Sequence, residues 1–136
     1  MATMRILVVD DDLVSRKALT SILEARGYEI LTAPTASEAI RLCREDPSLA
    51  LIVMDILLTD GDGVSTAKEI RKACDIDVLY TSGTPVSALL AQGILQPEDT
   101  RPGRFHFLAK PFTAADVWAA VERLLSEKGG DGGVIS

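Results

Sequence analysis

The sequence predicts an α/β domain with one parallel sheet covered by helices on both faces. Three observations predict it. Short apolar runs recur along the chain and alternate with segments whose apolar residues fall at helical spacing. The runs are continuous rather than alternating apolar with polar, as expected of strands buried on both faces. The length, 136 residues, suits one domain around one core, with no internal repeat. Strand and helix alternate five times, and parallel strands need crossovers of this kind. Right-handed crossovers then leave few topologies.

Arg5 to Val9 (RILVV) reads as the first strand. A helix over 13–26 follows, with Val14, Ala18, Leu19, Ile22 and Leu23 at helical spacing, and Gly27 stops it. Tyr28 to Thr32 is the second strand. Pro34 and Thr35 open the second helix: Thr35 and Glu38 have capping-box spacing, Ala36, Ala39, Ile40 and Cys43 form its apolar side, and Pro47 lies beyond its end. Leu51 to Met54 is the third strand and ends on Asp55. A helix over 64–73 turns Val64, Ala67 and Ile70 inward, and Asp77 to Tyr80 is the fourth strand. Thr84 and Pro85 start a short helix that fades near Gly93. Residues 96–104 (QPEDTRPGR) form one long polar loop. Phe105 to Ala109 is the fifth strand. The last helix spans 113–127, with a Thr113/Asp116 capping box and a stripe of Val117, Val121, Leu124 and Leu125. GGDGG at 129–133 begins a flexible tail.

Composition narrows the function classes. Apolar residues make up 47% and charged residues 25%, ordinary for a soluble globular protein. No apolar run approaches a bilayer span. The N-terminus, MATMRILVVDDD, carries one positive charge and its apolar run stops at aspartates, which makes a poor signal peptide. Cys43 and Cys74 lack CxxC spacing and read as reduced thiols of a cytoplasmic protein. The formal charge of −6, with no basic run, argues against direct nucleic-acid contact.

In a sheet of this class the site lies beyond the carboxyl ends of the strands. There the chain gathers Asp10, Asp11 and Asp12 after the first strand, Asp55 after the third, Thr81 and Ser82 after the fourth, and Lys110 with Pro111 after the fifth. Clustered carboxylates repel and raise one another's pKa unless a cation joins them. Hard oxygen ligands on a loop-rich rim suit Mg²⁺, which takes few protein carboxylates and keeps phosphate oxygens and waters. A lysine and a hydroxyl beside such an ion suit a phosphoryl group, and a carboxylate can itself accept it as an aspartyl-phosphate.

VVDDD at 8–12, MD at 54–55, DG at 62–63, TS at 81–82 and KPF at 110–112 resemble the receiver domain of bacterial two-component response regulators. The resemblance covers residues 5 to about 127. It implies a flavodoxin-like (βα)5 fold with strand order 2-1-3-4-5, a receiver domain over 1–128 and a flexible tail over 129–136. It makes Asp55 the phosphoacceptor, with Thr81 and Lys110 contacting the phosphoryl group. Asp10, Asp11, Asp55 and the Leu57 backbone carbonyl become the Mg²⁺ ligands, Asp11 directly and Asp10 mainly through water. Thr81 and Phe107 become a switch that alters a partner surface. The implied partners are a histidine kinase or histidine phosphotransfer protein, docking on Val14, Ser15, Ala18 and Leu19, and an unidentified downstream protein. A phosphorylation-dependent dimer, but neither nucleic acid nor membrane, belongs to the same implication. The implied role is signalling rather than enzymatic, although such domains promote their own phosphorylation and dephosphorylation.

Other residues read structurally. Asp12 caps the first helix, Asp60 and Asp62 are turn residues, Gly63 serves backbone geometry, and His106 is a strand residue. Trp118 reads equally as core or partner surface. Thr59 stands where the family usually has Pro. Two rivals use other chemistry: a haloacid-dehalogenase-like phosphatase with Asp10 as nucleophile and Asp12 as general acid, which leaves Asp55 idle, and a receiver-like binding module without phosphate chemistry. Within the receiver reading, the receiver of a hybrid histidine kinase stands beside a stand-alone regulator.

Overall fold

A computed structural model describes residues 3–129. Its elements follow the expected alternation. β1 (Arg5–Val9) leads to α1 (Leu13–Glu24), β2 (Glu29–Ala33), α2 (Ala36–Glu45) and β3 (Leu49–Asp55). Two short strands, β4 (Leu57–Leu58) and β5 (Gly61–Asp62), form an antiparallel hairpin directly after β3. Then come α3 (Gly63–Arg71), β6 (Asp77–Ser82), α4 (Val86–Ala91), a 3₁₀ turn (Pro97–Thr100), β7 (His106–Ala109) and α5 (Ala114–Gly129). The main sheet is parallel, in the order β2-β1-β3-β6-β7. This is the expected 2-1-3-4-5 order, since β4 and β5 stand outside the sheet.

Continuous apolar strands serve two cores at once. Ile6, Val8, Leu51, Val53 and Leu79 point to the face covered by α1 and α5. Leu7, Val9, Ile52, Met54 and Val78 point to the face covered by α2, α3 and α4. Each fully buried Leu, Ile or Val contributes about 1.5–3 kcal/mol relative to exposure. The helical stripes read on α3 and α5 are inward as expected, with Val64, Ala67 and Ile70 buried on α3 and Val117, Val121, Leu124 and Leu125 on α5, whereas on α1 Leu19 and Leu23 are buried but Val14 and Ala18 are exposed. Leu19 is also core, 1% exposed, and so cannot belong to the docking face expected on α1.

Several boundaries differ from expectation. α1 ends at Glu24, two residues early, with Gly27 at φ +87° turning the chain. β3 begins two residues early and includes Asp55, and β6 runs through Thr81 and Ser82. Pro85 occupies the N-cap of α4 with no side-chain cap, whereas Thr84 was the expected capping residue. The polar loop is not featureless. Gln96 and Asp99 close a capping box, and Lys68 Nζ on α3 lies 3.1 Å from Asp99 Oδ1. The Gly-rich tail expected at 129–136 falls outside the described residues except for Gly129, the last residue of α5. No helix among the described residues is long and apolar enough to cross a membrane.

Candidate functional site

Strand register builds the site. Val9 pairs with Met54, and Asp55 pairs with Thr81. Ser82 pairs with Ala109, and the Lys110 N–H extends that ladder to the Ser82 carbonyl at 2.9 Å. The next residue on each strand therefore arrives at one rim. Asp10, Asp11 and Asp55 each bring a carboxylate oxygen within 4.8 Å of the others. Lys110 Nζ reaches over them, 3.1 Å from Asp10 Oδ2 and 3.2 Å from Asp55 Oδ2. The Lys110–Pro111 peptide is cis.

Each side chain is held from its own loop. Asp10 is fully buried; its Oδ1 accepts the Asp12 N–H at 2.9 Å and its carbonyl accepts Arg16 Nη1 at 2.7 Å. Asp55 is 8% exposed, and its Oδ1 accepts the Leu57 N–H at 3.2 Å. Asp11 is exposed, and its Oδ2 accepts the Thr59 hydroxyl at 2.7 Å. Thr81 is fully buried beside Asp55, and among the described residues its Oγ1 has no hydrogen-bond partner. Phe107 lies on β7, partly buried, its ring 5.8 Å from that of Phe105 and packed against the core below α2, α3 and α4.

The electrostatics follow from burial. Burial pushes the Asp55 carboxyl above its ordinary range, and the Asp10 carboxylate adds to this, outweighing Lys110. Burial pulls the Lys110 ammonium down, but the bonds from Asp10 and Asp55 carry it above its ordinary value. Asp10 and Asp55 therefore share one ammonium, and Asp11 adds a third carboxylate beside them, an excess of negative oxygen donors at a rim.

Some expected roles resolve structurally. Asp12 caps α1, its Oδ2 accepting the Ser15 N–H at 2.9 Å; that bond draws its carboxyl below the usual range and leaves it poorly suited to the general acid of the phosphatase reading. Asp62 is more than a turn residue, capping α3 through the Ser65 N–H at 2.8 Å. Asp60 reaches across to cap α2, accepting from the N–H groups of Ala36 (2.9 Å) and Ser37 (3.2 Å). No local pattern marks that pairing, because its partners lie far back in the chain. Trp118 is half-buried and structural: Nε1 donates to the Ile22 carbonyl at 2.7 Å, and the Arg26 guanidinium lies 4.1 Å over its ring. A cavity of about 710 Å³ beside Lys68, Tyr80 and Arg101 is lined by none of the rim residues.

The family profile of the response regulator receiver domain matches residues 6–122. The chain belongs to this family. Among curated proteins, this receiver is similar to the aerobic respiration control protein ArcA of Escherichia coli (strain K12), 30% identical over 128 residues, which are 93% of this chain and 50% of that protein. It is also similar to the probable transcriptional regulator ycf27 of Cyanophora paradoxa, 32% identical over 124 residues, 89% of this chain and 48% of that one. The receiver thus spans about half the length of the curated relatives it matches. A solved response regulator receiver domain protein from Clostridium thermocellum is 28% identical with a TM-score of 0.79, covering 93% of this chain and 97% of that chain. Receiver domains of this family are signalling domains of two-component systems.

Proposed function

We propose that this receiver accepts a phosphoryl group from a phosphohistidine onto Asp55, in the presence of Mg²⁺, and so switches a partner-binding surface. One observation carries the reading. Lys110 Nζ bridges Asp10 Oδ2 and Asp55 Oδ2 where three carboxylates converge, beside a fully buried Thr81 hydroxyl with no partner among the described residues. A fold that gathers like charges and leaves a buried hydroxyl unpaired incurs a cost that a structural role does not offset. A divalent cation and a phosphoryl oxygen would satisfy both.

The donor set fits hard-cation chemistry. Asp10, Asp11, Asp55 and the Leu57 carbonyl would hold Mg²⁺, which neutralises phosphoryl charge when bound. The chain's own residues do the rest. An Asp55 oxygen attacks the phosphorus, the P–N bond breaks, and its electron pair returns to the imidazole nitrogen of the donor, which takes up a proton. Lys110 offsets the phosphoryl charge, and the Thr81 hydroxyl donates to a phosphoryl oxygen. The Thr81 shift toward the phosphate frees space for the Phe107 ring, which couples the acceptor to the surface around β7. Water then attacks the phosphorus, the bond to the Asp55 oxygen breaks, inorganic phosphate leaves and the carboxylate is restored, so the chain promotes its own phosphorylation and dephosphorylation without being a conventional enzyme.

The exposed apolar residues Leu13 and Val14 at the start of α1, 52% and 75% exposed, support docking of a histidine kinase or phosphotransfer protein beside the rim. Similarity to curated response regulators favours that role over the receiver of a hybrid kinase. The output partner is a downstream protein, and the compartment is the cytoplasm.

Intact mass after incubation with acetyl phosphate tests the reading. Wild type gains one phosphoryl group only with Mg²⁺, and Asp55→Asn gains none. Label that survives Asp55→Asn but is lost with Asp10→Asn would replace this mechanism with the phosphatase-like one.

A further inference from the structure

The hairpin of β4 and β5 turns at Thr59 and Asp60, directly after the acceptor strand, and both side chains are tied elsewhere. Asp60 straps the turn to the N-terminus of α2 through the Ala36 and Ser37 N–H groups. Thr59 Oγ1 donates to Asp11 Oδ2 at 2.7 Å. This second tie reaches the carboxylate cluster itself.

The three carboxylates are not held alike. Asp10 is fixed by Lys110 and the Asp12 N–H, and Asp55 by Lys110 and the Leu57 N–H. Asp11 is exposed, touches no ammonium, and among the described residues its side chain has Thr59 as its one hydrogen-bond partner. A free, exposed Asp side chain beside two like charges rotates toward solvent, because repulsion and rotamer entropy both favour it. The Thr59 hydroxyl opposes both. It occupies one Asp11 oxygen and leaves the other for the cluster. Asp60 makes the hold effective, since a strapped turn gives the hydroxyl a fixed position. The proline that the family pattern usually has at this place has no hydroxyl, so this chain secures the turn by side-chain bonds instead of a fixed φ.

We propose that Thr59 is a positioning residue that pre-sets Asp11 for cation binding. The proposal rests on the reading that this cluster takes Mg²⁺. Partners that orient metal-binding side chains typically change affinity by about 10–100-fold when removed. Because Asp11 is solvated, the lower end applies, and Thr59→Val is expected to weaken Mg²⁺ binding about tenfold.

The test is a Mg²⁺ titration of the full chain, followed by backbone amide shifts, on wild type, Thr59→Val, Thr59→Ser, Asp11→Ala and the Thr59→Val/Asp11→Ala double variant. Thermal midpoints are recorded alongside. The expected result has four parts: about tenfold weaker binding for Thr59→Val, recovery with Thr59→Ser, an unchanged melting midpoint, and no further loss when Thr59→Val is added to Asp11→Ala. Wild-type affinity in Thr59→Val overturns the proposal. So does full additivity in the double variant, which would mean that Thr59 does not act through Asp11. A wild type whose rim amides do not respond to Mg²⁺ fails earlier, and overturns the cation reading itself.

Discussion

Gly63 opens α3 one residue after the hairpin, and a Cβ there would lie 2.5 Å from the Asp55 carbonyl oxygen, 3.1 Å from Ile56 Cα and 3.1 Å from Met54 Cγ. Ordinary contact begins at 3.4 Å, so the carbonyl would have to retreat by about 0.9 Å. That carbonyl belongs to Asp55, the proposed acceptor, and two of the three neighbours are backbone, which yields less than a flexible side chain. The Gly63 N–H also donates to the Ile56 carbonyl at 2.7 Å, so helix and strand cannot separate without straining that bond. Overpacking costs about 1–3 kcal/mol, and the rigid neighbours put Gly63→Ala at the upper end. The better helix propensity of Ala returns up to about 1 kcal/mol. The net expectation is a loss of about 2 kcal/mol, or roughly 6–10 °C in melting midpoint for a domain of this size. Urea denaturation of wild type and Gly63→Ala measures it. Acetyl phosphate labelling should slow in the same variant, because the backbone of Asp55 moves. Stability within about 0.5 kcal/mol of wild type, the range of an ordinary surface change, would refute the close-approach argument.

Four further outcomes follow from the geometry of the fold and the rim. Lys110→Met should lower stability in metal-free buffer by about 1–3 kcal/mol, because two buried carboxylates lose their common donor, and added Mg²⁺ should restore much of the loss in a thermal melt. The Ala36 N–H holds the Asp60 carboxyl below its ordinary 3.8, so the stabilisation from this cap is complete above that value and is lost as pH falls through the lower folded value. Urea midpoints of wild type and Asp60→Asn should therefore converge between about pH 5 and pH 2. Asp55 has the opposite sign: burial raises its carboxyl, so its protonation favours the fold and that contribution disappears as pH rises through the raised value. Trp118→Phe removes the donor to the Ile22 carbonyl and weakens the Arg26 contact, and should cost about 1–2 kcal/mol by thermal melt without altering phosphorylation.

The fold was legible because burial on both sheet faces leaves a strong trace. Residues such as Ile6 and Leu7 serve opposite cores, so their strands must be apolar throughout. Caps such as Thr113 with Asp116 were legible because their partners lie three residues apart, at 2.9 Å and 3.1 Å. The rim was legible because each of its carboxylates, its hydroxyl and its lysine lies at or within two residues of the carboxyl end of a strand. What escaped was nonlocal. Neither Thr59 on Asp11 nor Asp60 on α2 follows any periodicity, and the hairpin of β4 and β5 is too short to leave one. Leu19 shows the converse error: helical spacing marks an apolar face but does not say which residue at its edge meets solvent. The loop at 96–104 reads as polar, yet its Gln96–Asp99 capping box folds it into a 3₁₀ turn.

The central claim is that Asp55 is the acceptor. Phosphorylated protein treated with sodium borohydride has its acyl phosphate reduced to an alcohol, and peptide mass mapping then locates the altered residue. The account predicts homoserine at position 55 in wild type labelled with Mg²⁺ and none in unlabelled protein. Reduction at Asp10, or a label that resists borohydride and maps to His106, would contradict it.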